Sequence, residues 1–512
     1  MGLLPRLIQA VRGFRARSFE RDTRDPRAAQ QRKLLEILKR NAGTEIGRAF
    51  GFDRIRTLDD YRSAVPLRSY ADHEPLIRRT MAGERNLLTA DAPIFYSQSG
   101  GTTGAPKVTL VTPSYRAEYM DTVHLFAYHL QRQFPRLIDG RIVYFVGAAL
   151  ETAPDGVPMG SLSGFNYTAV PKVFQKKYAL PPEVARIEDL TERYRTVLRL
   201  AAPLDVTWVV SITPASLRML GETLDAWGEG LIRDVRDAGH ASEAARLDAV
   251  FQERGRLRAT DLWPNLQLYT CWHAAAAGSY LRGLDRWFGD TPHHDAIYAA
   301  SEGWFNIPYD RDVLGGALAL RSHVFEFREE DTDGPWRWCD ELEAGTNYEI
   351  ALTASCGLYR YAIGDVVRVT DHVERTPVLH FSHKAGLAWS FVGENMKEVH
   401  VTQAMARAIE QTGAPAGFTL VPDGSVQPAR YRLILEGAPD GLASAFDAAM
   451  RAENWGYDRH LQDGFLAPLI TETAPLGTFR RWWQERIDAG GQDAQIKPLH
   501  LCPDADRAPT WE

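Results

Sequence analysis

The run Ser97-Gln98-Ser99-Gly100-Gly101-Thr102-Thr103-Gly104-Ala105-Pro106-Lys107 has the makings of an anion grip. From Ser99 on, its glycines leave backbone amides open and permit positive φ. Successive N–H groups can then form a nest for phosphate oxygens. The hydroxyls of Ser99, Thr102 and Thr103 add donors, and Lys107 adds a mobile positive charge. The order is not that of a Walker A loop, which requires Gly-x-x-x-x-Gly-Lys-Ser/Thr. A glycine-rich surface loop is the plain alternative, and the Pro106-Lys107 ending argues against it. Two acidic positions extend the chemistry. Glu302, in Tyr298-Ala299-Ala300-Ser301-Glu302-Gly303, can offer hard oxygen to a divalent cation, beside a tyrosine face able to stack on a purine. Asp365, after Gly364, can accept both hydroxyls of a ribose. Taken alone, Tyr298 reads as core, Glu302 as a solvated cap, and Gly364-Asp365 as a tight turn between two strands.

Elements must carry these residues. Gln31, Leu34, Leu35, Ile37 and Leu38 recur at helical spacing, so a helix is expected over 28–42. Residues 58–87 read as helices and turns punctuated by Pro66 and Pro75. Ala92 to Tyr96 reads as a strand entering the glycine-rich loop, and a helix is expected from Thr112-Pro113. Apolar runs at 141–146, 205–212 and 267–272 alternate with helical stretches, which implies α/β layering. Short strands at 317–320, 324–327, 347–352 and 366–369 then suggest a β-rich subdomain closing the large one. A boundary falls near 376–386, with Thr376-Pro377 or Lys384-Ala385-Gly386 as the hinge. The expected domains are 1–380 and a smaller α/β domain, 381–512, whose first helix runs from about Lys397 to Gln411. Asp504 to Glu512 are expected to fray.

Bulk properties narrow the class. A chain of 512 residues exceeds what one core supports, so two or more domains are expected. A formal net charge of -7 points to neither nucleic acid nor an anionic membrane as a bulk partner. The four cysteines lie far apart without Cys-x-x-Cys spacing, which fits a reducing cytoplasm and no structural zinc. No signal-peptide core and no membrane-length apolar run is present. Leu4, Leu7, Ile8 and Val11 have helix spacing, interrupted by Arg12, Arg15 and Arg17. A helix packed on its own domain is the simpler reading, with peripheral lipid contact as the alternative.

Ser99 to Lys107 resembles the phosphate loop of the adenylate-forming superfamily, which includes acyl-CoA synthetases, luciferases and peptide-synthetase adenylation domains. Further stretches resemble the auxin-responsive acyl-acid amido synthetases, in a bacterial-type member. They are Thr44 to Arg48, Val65 to Tyr70, Leu262 to Leu266, Tyr298 to Gly303, and Gly357-Leu358-Tyr359-Arg360-Tyr361-Ala362-Ile363-Gly364-Asp365-Val366-Val367. The last two are specific, the others supportive, and together they span nearly the whole chain.

The resemblance implies a large adenylate-forming N-terminal domain and a mobile C-terminal one. It implies ATP and Mg²⁺, with nucleotide contacts from Ser99, Gly100, Gly101, Thr102, Thr103, Gly104, Lys107, Tyr298, Ser301, Glu302 and Asp365. Tyr298 would lie against adenine, Glu302 would help place the metal, and Asp365 would hold the ribose. Tyr359, Arg360 and Tyr361 would line the same cleft, Arg360 otherwise serving a structural ion pair. Lys107 and Glu302 are expected catalytic groups, joined by a C-terminal lysine, for which Lys497 is the candidate and Lys384 the competitor. Near the hinge, His383 and Lys384 depart from the family pattern. Phe165, Phe174, Trp208, Val210, Trp272 and His273 are candidate walls for an aromatic or otherwise apolar acid.

The implied reaction is activation of that acid as acyl-AMP, then transfer to the amine of an amino acid. Thioester formation with CoA or another thiol is one alternative, and a non-catalytic nucleotide-binding module is the other. No nucleic acid or integral membrane association is expected, and the chain is expected to be a monomer or weak dimer in the cytoplasm.

Overall fold

The computed structural model describes residues 3–99, 107–146, 149–168, 170, 172–274, 281, 283–385, 388–392, 394, 396–488, 499–502 and 508–511. The expected helix over 28–42 is Pro26–Asn41, started by Asp25, which accepts the Ala28 N–H at 3.1 Å. Thr112 caps the long helix Pro113–Gln133 in the same way, with Pro113 in its first turn. Pro75 does not punctuate: it lies inside the helix Tyr70–Met81. The ring forfeits one intrahelical hydrogen bond. The Ser69 N–H bonded to Asp72 at 2.7 Å and the burial of His73 and Ile77 hold the helix regardless.

Four sheets of three or more strands organise the described residues. A parallel sheet runs in the order Arg141–Tyr144, Val206–Val210, Leu268–Cys271, His293–Asp295. Helices Leu190–Ala201, Pro214–Asp237 and Ala241–Arg254 contribute to its apolar core, which is the expected α/β layering. A second sheet pairs Phe95–Ser99 with Lys107–Val111 antiparallel, the last rung joining Ser99 to Lys107. A third, of six strands, is built around the long strand Leu358–Val373 between Asn347–Ala354 and Thr376–Lys384. It is the expected β-rich unit, and it shares a core with the N-terminal helices.

This third sheet changes two expectations. Gly364-Asp365 is no turn between strands; both lie within one continuous strand, Gly364 taking φ +75. The division expected between residues 380 and 381 falls inside the strand Thr376–Lys384, so Thr376-Pro377 opens a strand instead of a hinge.

The C-terminal unit is a three-stranded sheet, Gly417–Asp423, Arg430–Glu436 and Ile470–Ala474, covered by helices Glu398–Thr412 and Leu442–Glu453. Its helix Thr478–Asp488 docks on the large unit. Trp483 joins the core of the parallel sheet, and the Leu190 N–H donates to Gln484 at 3.2 Å. Of the stretch expected to fray, 504–507 and 512 lie outside the described residues; Ala508 is buried and Trp511 packs against the cluster of Val421, Ile434 and Cys502, because apolar groups gain by covering that sheet.

Candidate active site

The hairpin that ends at Ser99 and restarts at Lys107 brackets the glycine-rich segment. Gly100, Gly101, Thr102, Thr103 and Gly104 lie outside the described residues, as does Lys497, and Ser99 is described by its backbone alone. Lys107 itself opens the described strand Lys107–Val111. Its Nζ donates to the Tyr361 hydroxyl at 3.4 Å and stands 5.5 Å from the ring centre of Tyr70. Tyr70 clamps the same strand by accepting the Val108 N–H at 2.7 Å.

The second element is a tight hairpin. Ala299 and Ala300 pair with Trp304 and Gly303, leaving Ser301-Glu302 as its two-residue tip. Gly303 is required by packing, since a Cβ there would meet His323 and Leu352 at 2.9 Å. The Ser301 hydroxyl accepts from Ser97 at 2.9 Å, and its carbonyl accepts from Tyr115 at 2.7 Å. The tip is thus pinned both to the loop hairpin and to the helix Pro113–Gln133. Glu302 is buried, and desolvation raises its pKa; Lys384 and Lys107 pull it back, while Asp365 pushes it further up.

The strand Leu358–Val373 supplies the third element. Arg360 sits at φ +44, a costly conformation for a side chain with a Cβ. Tyr359 caps the Leu88 carbonyl at 2.8 Å, and Tyr361 faces Lys107 and Glu302. Arg360 itself points away from the cleft, so its expected place there is corrected. Its guanidinium forks onto Glu326 at 2.8 and 2.9 Å and donates to the carbonyls of Arg62 and Val65. Further along, Asp365 is buried at 2% exposure. One of its oxygens accepts the Tyr298 hydroxyl and the other pairs with Lys384. Register builds that ion pair: Lys384 is the cross-strand partner of Asp365.

Lys107, Tyr361, Glu302, Asp365, Tyr298 and Lys384 therefore form one connected cluster. Tyr298 contributes its hydroxyl to Asp365 while its ring stacks on Phe305 with centres 4.3 Å apart. Sequence reasoning singled out Lys107, Tyr298, Glu302 and Asp365. It placed Tyr361 in the cleft without its bridging role and weighed Lys384 only as a competitor. The signal for Lys384 was available: an opposite charge one strand away from Asp365 in an antiparallel pair.

The candidate acid-binding residues scatter. Trp272 touches the cluster, 5.9 Å from Tyr298 and 5.3 Å from Phe381. Phe165 stacks on Phe95 at 4.5 Å, and Trp208 donates to Thr270 at 3.2 Å. Phe174 is 41% exposed and lies on the surface. The His273 imidazole is driven down to about 3 by burial, with its N–H of the main chain on Asp295 at 3.0 Å. A cavity lined by Tyr144, Phe145, Tyr167, Leu180, Val184 and Ser211 lies at the carboxyl ends of the parallel strands, where open α/β sheets bind ligands. Tyr119 stacks obliquely on Trp304 with ring centres 4.3 Å apart.

The GH3 family N-terminal domain matches residues 15–293, its central domain 316–384 and its C-terminal domain 399–506. The chain is 24% identical to a jasmonoyl–L-amino acid synthetase of Oryza sativa subsp. japonica, over 94% of this chain and 93% of the relative. It is 26% identical to an indole-3-acetic acid-amido synthetase of Oryza sativa subsp. indica, over 92% and 87%. Among solved structures it resembles the AtGH3.15 acyl acid amido synthetase in complex with 2,4-DB, with a TM-score of 0.85 at 19% identity over 96% of this chain and 94% of that one. A 2-hydroxyisobutyryl-CoA ligase with its bound 2-HIB-AMP shares the fold more loosely, with a TM-score of 0.54 at 12% identity over 94% and 90%.

Proposed function

The chain belongs to the GH3 family, and from that premise we propose that it is an ATP-dependent acyl-acid amido synthetase. The observation that supports this best is the cluster itself: two buried carboxylates and two lysines from separate elements meet beside the loop hairpin. Such a set suits ATP on chemical grounds. Asp365 has acceptor capacity for ribose hydroxyls, and the lysines match phosphate. Glu302 is the candidate ligand for Mg²⁺, which when bound would neutralise phosphate charge.

In the first half-reaction the acid's carboxylate attacks the α-phosphorus. A P–O bond forms, the bond to the β-phosphate breaks, and pyrophosphate leaves. In the second, a neutral amine attacks the acyl carbon; the C–N bond forms, the C–O bond to AMP breaks, AMP departs, and the amine's extra proton passes to solvent. The chain's own part is alignment and charge compensation. Lys107, with Ser99 to Gly104, would hold phosphate. Tyr298, through Asp365, would support the ribose and lie at the adenine. Ser301 would keep the Glu302 tip in register. Lys497 would enter for adenylation, with Lys384 the resident alternative on Asp365.

For the division into a large and a small domain we propose a point just after Lys384; the end of the strand Thr376–Lys384 in the six-stranded sheet supports it. Trp272 and the cavity beside Tyr144 favour an aromatic or apolar acid. A cytoplasmic monomer or weak dimer fits four buried cysteines and the lack of any membrane-length apolar helix among the described residues. The test crosses aromatic and aliphatic acids with amino acids and CoA, with products read by mass. An amide formed only with ATP is expected. A CoA thioester in its place, or no pyrophosphate release with any acid, overturns the reading.

A further inference from the structure

The N-terminal helix Leu3–Asp22 is amphipathic the wrong way round for a purely internal role. Its packed side is made of Gly13, Ala16 and Phe19, lying on the helix Pro113–Gln133. A Cβ at Gly13 would stand 3.3 Å from the Tyr128 ring, so the two helices approach closely. Arg12 donates to Gln131 at 2.6 Å and Arg15 pairs with Asp121 at 2.5 Å, fixing the rotation of the helix. The opposite side carries Val11 and Phe14, 54% and 66% exposed. In the sequence, the same i, i+4, i+7 spacing extends back from Phe14 and Val11 to Leu7, Leu4 and Leu3. Val11 and Phe14 thus face solvent on the side away from the core, and the sequence continues their apolar spacing toward the N-terminus.

Charge says what would cover this apolar stripe. The helix holds Arg6, Arg12, Arg15, Arg17 and Arg21, and its first acidic residue is Glu20, in a chain whose net charge is -7. Arg17 and Arg21 are exposed and border the stripe at i+3 and i+7 from Phe14. A second copy pairing through this stripe would set arginine rims against each other. An anionic bilayer surface satisfies both features at once: apolar side chains enter the acyl boundary and arginines meet headgroup phosphates. We propose that this helix docks the protein peripherally on anionic lipid bilayers. The proposal is independent of the reaction, since Val11 and Phe14 lie outside the catalytic cluster.

The full chain is sedimented with vesicles of phosphatidylcholine and phosphatidylglycerol in equal parts, and with phosphatidylcholine alone. Binding to the mixed vesicles is expected, weaker by on the order of tenfold or more on the neutral ones and released by salt. The double variant Val11→Ser/Phe14→Ser is expected to lose on the order of tenfold in partitioning. Arg17→Gln/Arg21→Gln, which leaves Val11 and Phe14 intact, should lose about twenty-five-fold, at about fivefold per charge. Phe14→Trp should retain binding, which separates a lost contact from a lost fold. Wild-type protein that stays in the supernatant overturns the proposal, as does equal sedimentation of wild type and both double variants. Concentration-dependent self-association of wild type, abolished by Val11→Ser/Phe14→Ser without any lipid effect, assigns the stripe to a second copy and overturns it equally.

Discussion

Two ion pairs hang from the strand Leu358–Val373, one with both partners buried and one joining a buried carboxylate to a partly exposed lysine, and they do different work. Arg360–Glu326 is saturated: a two-pronged fork, two backbone carbonyls on the guanidinium, and Arg62 adding a third donor to Glu326 at 3.1 Å. These bonds hold the sheet to the segment Arg62–Val65. Lys384–Asp365 is built from the opposite materials. A flexible ammonium faces a carboxylate whose second oxygen takes a phenol, and Glu302 and Lys107 lie within electrostatic reach. The lesson is that a rigid, fully bonded charge pair marks scaffold, while a pair made with a mobile lysine marks a site where partners can be exchanged.

The sharpest break of this comparison is Arg360→Met. It leaves buried Glu326 with Arg62 as its remaining cationic donor and is expected to cost about 3 kcal/mol of stability by urea denaturation. Unchanged stability would place Arg360 outside the scaffold. Asp365→Asn comes next. The amide keeps the shape and can still accept from Tyr298, so stability should move by less than about 1 kcal/mol, whereas amide formation should fall on the order of a hundredfold. Equal loss of both would make Asp365 a scaffold residue like Glu326.

Lys107→Ala sharpens the contrast from the loop side. Its KM for ATP should rise on the order of tenfold with the melting temperature unchanged, and a fall in melting temperature of the size seen for Arg360→Met would sink the phosphate role.

The smallest effect belongs to a third pair across the domain division. Glu330 accepts from His383 at 2.7 Å and from Lys397 at 3.1 Å. Burial alone would raise its pKa, but His383, Asn347 and Lys397 overcome it and hold the carboxyl down from an ordinary 4.5 to about 2. A depressed acid stabilises the fold above its unfolded value. That contribution is therefore complete above pH 4.5 and lost as pH falls toward 2. The group is half-buried, so the loss is about 1 kcal/mol after screening. Glu330→Gln should flatten this acid limb in a pH series of unfolding curves; an unchanged limb would show that other groups carry it.

Much of this was legible without coordinates, for identifiable reasons. Helices announced themselves by spacing and caps, as at Asp25 and Thr112, because those signals are local. The α/β layering and the β-rich unit followed from the alternation of period. The misreadings share one cause. Pro75, Gly364-Asp365 and Thr376-Pro377 all carry local breaker signals that tertiary packing overrode: capping and burial kept the helix, and the long ladders on both sides kept the strands. Arg360 was misassigned because a motif reveals which residues travel together but not which side of the strand each one faces.

The sequence by itself determined the chemistry on offer. It supplied a glycine- and hydroxyl-rich loop ending in Lys107, a tyrosine and a carboxylate in Tyr298 to Glu302, and a carboxylate at Asp365. It also identified the family whose pattern these residues follow. Only the tertiary structure decided which of them meet. Strand register put Lys384 opposite Asp365, a two-residue hairpin brought Glu302 toward Lys107, and a positive φ at Arg360 accompanies the turning of that side chain away from the cleft while Tyr361 faces it. Those are long-range facts, set by pairing and packing between segments far apart in the chain, and local residue preference carries no information about them.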